Sequence, residues 1–330
     1  MTNPVEMAQV WRGDFLESVH MGHAVICDAK GEIVKAWGDP ELVVLPRSSS
    51  KMLQALPLVE SGAADAAGLN TEQLALSCAS HNGAAIHVDR VRAWLADLGL
   101  SDDDLRCGSH IPRDKEQEKC VICGTGHPEQ AHNNCSGKHS GFLTLTKHLG
   151  AGPDYVEPDH PVQKAVREAF EDVTGEDSPG YGIDGCSAPN FATSLHGMAR
   201  AMAFFAAAGE GSARERAAVR LRQAMVQHPA LVAGEGRACT ELMRAMEGRV
   251  ALKTGAEAFF IAILPEQQLG VALKVMDGGT RGAESAIASI LIELGVLDPA
   301  HPAAKQFQSP VLPNCRGVEA AQVRPGTAFA

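Results

Sequence analysis

Arg47-Ser48-Ser49-Ser50-Lys51-Met52-Leu53-Gln54-Ala55-Leu56 is the stretch on which the fold of this chain turns. A serine and a lysine three positions apart set a hydroxyl and an amine one helical turn apart, on one face. A free serine hydroxyl is a weak nucleophile and needs a neighbouring base. Lysine is that base where burial or a second cation brings its amine toward the neutral form. The ordinary reading of such a box is a serine cap followed by a solvated lysine. Here Lys51 opens a largely apolar run, which favours a buried amine instead. The pattern predicts a helix from Ser48 that kinks or ends at Pro57. Ser48 then lies near helix-start amides, which favour negative charge.

Two more boxes follow in order. Ser80-His81-Asn82-Gly83 comes after a short buried-type segment at 75–79 and ends in the turn dipeptide Asn-Gly. Lys253-Thr254-Gly255 closes a β-type run. Singly, these read as a polar loop and a strand-end lysine. Together, S-x-x-K, S-x-N and K-T-G resemble the serine-acylation set of penicillin-binding proteins and class A β-lactamases. In that setting Ser80, His81 and Asn82 bring a second hydroxyl and polar groups to the pocket. Lys253 polarises or activates a serine, and Gly255 lets substrate come close to backbone.

Outward from these boxes, residues 22–38 read as a β-hairpin around Ala29-Lys30-Gly31, and 42–45 as a short apolar strand. Residues 85–98 carry Ile86, Val91, Trp94, Leu95 and Leu98 at helical spacing. The stretch 101–136 is the least regular, as functional segments often are. Helical patterns dominate 138–248, clearest at 191–209 and 212–227. From 250 the period changes: 250–253, 258–264 and 269–276 are strand-like, 281–295 is an amphipathic helix, and the tail is expected to add an edge strand. Strands at both chain ends with helices between predict an α+β (α/β) fold, an antiparallel sheet assembled from both termini and flanked by helices. We expect one domain over 1–330 with two lobes, a sheet lobe at 1–80 plus 249–330 and a mainly helical lobe at 81–248. The active site is expected at the seam between them.

The chain has 330 residues, 45% hydrophobic and 21% charged, an ordinary globular composition. A net charge of −11 argues against nucleic acid or an anionic membrane as partner. No apolar run approaches the roughly 18 residues of a membrane span. Residues 1–23 carry acidic side chains where an export signal needs a basic start and an apolar core, so a cytoplasmic location is expected.

Nine cysteines are scattered along the chain. In a reducing compartment most such thiols are small buried hydrophobes. Cys135-Ser136-Gly137-Lys138 and Asp184-Gly185-Cys186 both sit beside expected helix starts and offer two sulfurs with a nitrogen or carboxylate, a donor set suited to zinc. Lysine is a rare ligand, because it must first lose its proton. Cys120-x-x-Cys123 is a rival site without a second pair at finger-like spacing. Spacing does not choose between the two.

At these residues the chain resembles the Rhizobium-type L-asparaginases, the third-class or thermolabile asparaginase II family. The resemblance runs through Pro46–Lys51, Ser77–Gly83, Asn134–Gly141, Asp184–Pro189 and Lys253–Glu257, and spans nearly the whole chain. It implies a fold similar to serine β-lactamases and glutaminases. It also implies hydrolysis of L-asparagine to L-aspartate and ammonia (EC 3.5.1.1), with weak glutaminase activity. Carried over by motif, it implies two Ser–Lys pairs, Ser48 with Lys51 and Ser80 with Lys253. A zinc site of Cys135, Lys138 and Cys186 beside Asp184 is implied likewise, as is a homodimer. The substrate's carboxylate needs a cation and its ammonium a carboxylate; Arg47 and Asp184 are the candidates. The alternatives are a β-lactamase, peptidase or esterase using the same boxes, and a catalytically silent zinc-binding protein.

Overall fold

The computed structural model describes residues 3–329. The strands in chain order are β1 (Val5–Arg12), β2 (Phe15–Cys27), β3 (Ile33–Trp37), β4 (Val43–Val44), β5 (Tyr181–Ile183) and β6 (Pro189–Phe191). They continue with β7 (Thr193–Ser194), β8 (Ala251–Gly255), β9 (Phe259–Leu264), β10 (Leu269–Val275), β11 (Val311–Pro313) and β12 (Glu319–Pro325). The chain divides into two compact units, Met1–Ser49 with Thr193–Ala207 and Glu241–Ala330, and Ser50–Ala192 with Ala208–Thr240.

The first unit is an antiparallel sheet built from both chain ends, in the order β11-β12-β1-β2-β10-β9-β8. Strand β2 is long enough to hold β1 along residues 15–22 and β3 along 24–27. The expected hairpin at 22–38 is thus the second half of a longer meander. The predicted tail strand is present twice, with β11 at the edge and β12 bonded to β1. Every residue of β9, Phe-Phe-Ile-Ala-Ile-Leu, is buried, as a strand covered on both faces demands. One cover is the helix Leu195–Ala207, which lies so close to β10 that a Cβ on Gly270 would meet Ala203 N at 2.0 Å and Ala199 O at 2.4 Å. Glycine is what lets that helix reach the sheet. The helix Thr280–Glu293 packs against β1, β9, β10 and β12 through its apolar stripe.

The second unit is mainly helical. The helices Thr71–Ser77, Ala85–Asp97, Ser136–Leu149, Pro161–Thr174 and Ala213–Gln227 form its body. Trp94 is buried at the contact of the second with the third and donates from Nε1 to Thr144 Oγ1 at 3.1 Å. The short ribbon of β5 and β6 belongs here.

Three expectations shift. The division falls after Ser49 and not near residue 80, because Lys51–Gln54 and Leu56–Glu60 pack on Pro161–Thr174 and Ala213–Gln227. The helix Leu195–Ala207, by contrast, goes with the sheet it covers. The helix expected from Ser48 is instead a 3-10 turn at Arg47–Ser50, a single helical turn at Lys51–Gln54 and a restart at Leu56–Glu60. Proline lacks an N–H and clashes with the carbonyl four residues back, so Pro57 is tolerated only in the first turn of a new helix. The irregular stretch 101–136 holds a helix, Lys115–Cys120, capped by the Asp114 side chain and followed by a π turn at Val121–Thr125.

Candidate active site

In the first unit, Ser48 is displayed by a turn anchored to the end of β8 and the start of β9. Arg47 has φ 51°, a left-handed conformation that costs a non-glycine residue about 1–3 kcal/mol and collects at functional turns. Ser49 is wholly buried, and its hydroxyl is within bonding distance of the carbonyls of Lys253 (3.2 Å) and Phe259 (3.3 Å). Its N–H donates to Pro46 O at 3.0 Å. A Cβ on Gly255 would lie 2.6 Å from Pro46 O and 2.9 Å from Ser49 Oγ. Gly255 was expected to open backbone to substrate; its missing side chain makes room for this turn. Lys253 is fully buried, and its Nζ donates to Thr254 O at 2.8 Å. Arg47 is half-buried, and Ser48 retains 8% of its surface.

In the second unit, Lys51 is fully buried at the start of the Lys51–Gln54 turn. Its Nζ donates to the carbonyl of Ala79, to Ser80 Oγ at 3.0 Å and to the carbonyl of Asn134 at 3.4 Å. Three acceptors match the three protons of an ammonium. Only the Ser80 hydroxyl can reverse its role and donate to a neutral amine. The loop that presents Ser80 is fixed by Ser80 N donating to Val232 O at 2.8 Å.

His81, expected at the substrate, is wholly buried and engaged at both ring nitrogens. Nδ1 accepts from Gly83 N at 3.1 Å, and Nε2 meets Ser136 Oγ at 2.9 Å. Burial, with the charges of His87 and Lys51, holds its pKa well below the ordinary imidazole value. His81 therefore has no free polar atom for a ligand and serves the loop. Asn82 accepts at its carbonyl from Arg113 N and Asp114 N, and at Oδ1 from Ala84 N.

The same unit gathers Cys135, Lys138 and Cys186, all buried. Cys135 and Lys138 flank the first turn of the helix Ser136–Leu149, and Cys186 rides a tight turn in which Asp184 N donates to Ala188 O. Lys138 Nζ lies 3.1 Å from Cys186 Sγ. The hydrogen bond from Cys135 holds the Cys186 thiol well below its usual pKa, against the pull of burial and with help from Lys138. The same bond and burial push Cys135 up. For Lys138, burial is outweighed by the sulfurs and Asp184, which raise it. Two sulfurs and one nitrogen in a buried cluster fit the donor set expected for zinc, once the lysine gives up its proton. Among the described residues no group of three His, Cys, Asp or Glu side chains is placed to hold a metal without such a lysine.

The boxes thus meet within units as Ser49 with Lys253 and Gly255, Lys51 with Ser80, and Cys135 with Lys138 and Cys186. Sequence reading missed the carbonyls of Ala79 and Asn134 that hold the Lys51 amine, since a carbonyl carries no sequence signal. It also missed the 233–237 loop, where Gly234 O accepts from Thr240 Oγ1 at 2.6 Å and a Cβ on Gly234 would strike the Asn82 side chain at 2.5 Å. The Gly234-Glu235-Gly236 spacing was its only trace.

Comparison with known proteins gives one family match: the family described as L-asparaginase II matches residues 8–325. No curated protein matches the chain significantly. Among solved structures, Mglu in its L-glutamate binding form is similar with a TM-score of 0.49 and 14% identity, over 91% of this chain and 65% of that one. A β-lactamase from Mycobacterium bovis gives a TM-score of 0.44 and 14% identity, over 82% of this chain and 94% of that one.

Proposed function

Because the chain belongs to the L-asparaginase II family, we propose that it hydrolyses L-asparagine to L-aspartate and ammonia through an ester on Ser48. The contact of Lys51 Nζ with Ser80 Oγ at 3.0 Å is the observation that carries this reading. Lys51 takes the Ser48 proton as Ser48 Oγ bonds to the side-chain amide carbon, and the carbonyl electrons move onto oxygen. When the oxyanion collapses, the proton passes from Lys51 through the Ser80 hydroxyl to the departing nitrogen, which leaves as ammonia. Water, deprotonated by the same amine, then attacks the aspartyl ester and frees L-aspartate and Ser48. General acid–base assistance of this kind is worth about 10²–10⁴ in rate.

Lys253 is proposed to assist by its positive charge, Arg47 to hold the substrate carboxylate and Asp184 its ammonium. Cys135, Lys138 and Cys186 would hold zinc, which when bound supplies a fixed positive charge to the pocket. The nucleophile in this reading is a serine. Weak glutaminase activity and a homodimer, both implied by the sequence resemblance, belong to the same reading.

The test is ammonia release from L-asparagine and L-glutamine, run beside nitrocefin hydrolysis. Preferential turnover of asparagine, lost in Ser48→Ala, supports the proposal. Nitrocefin turnover without asparagine turnover overturns it. A Ser48→Ala enzyme at near-normal rate beside a dead Ser80→Ala enzyme reverses the two serines.

A further inference from the structure

Cys120-x-x-Cys123 plays no part in the chemistry above, yet it is the most accessible pair of thiols on the chain. Of the nine free cysteines, six are buried and only Cys120, Cys123 and Cys315 are exposed. Cys120 is the last residue of the helix Lys115–Cys120, and Cys123 lies in the π turn Val121–Thr125 that continues it. Residues three apart on a helical turn have Cα atoms about 5 Å apart, on neighbouring faces. A disulfide needs about 4.4–6.8 Å. The turn has room to adjust, because nothing lies within 4 Å of where a Cβ on Gly124 or Gly126 would be. The buried Val121 fixes the turn on its inner side, while Ile122 faces out with the two thiols.

Among the described residues no third His, Cys, Asp or Glu joins the pair to make a metal-ligand group. It is not a structural staple either, since so short a loop gains little stability from closure. We propose that Cys120 and Cys123 form a reversible dithiol–disulfide couple, a redox modification site open to low-molecular-weight disulfides of the glutathione type. One Cys thiolate attacks a sulfur of oxidised glutathione and expels one glutathione thiolate. The second Cys thiolate attacks the mixed disulfide and expels the other. The protein gives up two electrons and two protons, and oxidised glutathione becomes two reduced molecules.

The couple sits on an excursion whose base is bonded independently: Arg113 N and Asp114 N donate to Asn82 O, and Asn134 N donates to His110 Nε2. Closing the ring leaves that base intact. The other six thiols are buried away from a solution disulfide, and burial also pushes Cys27 and Cys107 up to about 12.

The experiment uses the full-length Cys315→Ser protein in buffers of increasing oxidised to reduced glutathione, read by intact mass and by thiol titration without denaturant. The expected result is loss of both reactive thiols and of two hydrogens, with no retained glutathione, reversed completely by reductant. Adding Cys120→Ser or Cys123→Ser should replace the internal bond with one retained glutathione. Glutathione retained on both cysteines of the Cys315→Ser protein, or two thiols that stay free throughout, overturns the proposal. Neither readout depends on asparagine turnover.

Discussion

The Lys51 amine and the Ser80 hydroxyl stand 3.0 Å apart, and among the described residues the amine's other hydrogen-bond acceptors are the carbonyls of Ala79 and Asn134. Ser80 is thus the one partner of Lys51 able to give as well as take a proton. Ser80→Ala should lower kcat by about 10²–10⁴ while KM changes only a few-fold. Steady-state ammonia release decides it. A matching loss confined to KM would make Ser80 a binding group only.

Lys51→Met should abolish turnover and also cost stability, because the buried Ala79 carbonyl loses its donor, while Asn134 O keeps the one from His81 N. The expected loss is about 1–3 kcal/mol, read as a lower urea midpoint at unchanged slope. An inactive variant of undiminished stability would mean that the Ala79 carbonyl finds water.

Gly255→Ala tests the anchoring of the Ser48 turn. The added methyl meets the Pro46 carbonyl at 2.6 Å, and a backbone atom cannot swing away as a side-chain end would. Overpacking of this kind costs about 1–3 kcal/mol, and kcat should change more than KM because Pro46 and Ser49, the residues pushed aside, flank Ser48 in the turn. Wild-type melting and turnover in Gly255→Ala would show that the turn is not held there.

Acid should destabilise the protein through its buried imidazoles. His81 and His87 stack with ring centroids 4.7 Å apart. Burial lowers both pKa values, that of His81 far below its ordinary value with the charges of His87 and Lys51 adding to it. Below about pH 6.5 the unfolded chain binds protons that the folded chain refuses, so stability drops as pH falls toward the folded values. The slope is about 1.4 kcal/mol per pH unit for each such proton. Urea midpoints at pH 7.5, 6.5 and 5.5 measure it. In His87→Gln the slope should shrink by up to one proton; an unchanged slope would remove His87 from the account.

Zinc, if held as proposed, should appear at one ion per chain by atomic emission and fall at least tenfold in Cys135→Ser and in Cys186→Ser. Full zinc content in both variants would exclude the Cys135, Lys138 and Cys186 cluster as its holder.

Much of this was legible from local chemistry. The strand-like runs at 250–253, 258–264 and 269–276 give β8, β9 and β10, and the helical spacing at 85–98 gives Ala85–Asp97. Pro57 announced a break that the structure places one residue earlier, at the Leu56 restart. The boundary after Ser49 was not legible, because it depends on which body Lys51–Glu60 packs against, a long-range matter that periodicity does not record. His81 looked like a ligand group because a sequence shows a titratable ring and not its two bonded nitrogens.

The residue types and their order settled by themselves that a hydroxyl, an amine and paired thiols are available, since covalent chemistry travels with the side chain. Tertiary structure decided which of them meet. Lys51 faces Ser80, Ser49 reaches the Lys253 carbonyl, and Cys186 sits on Lys138, at separations in sequence of 29, 204 and 48. Such contacts follow from packing and burial summed over a whole unit, and no local pattern contains that sum.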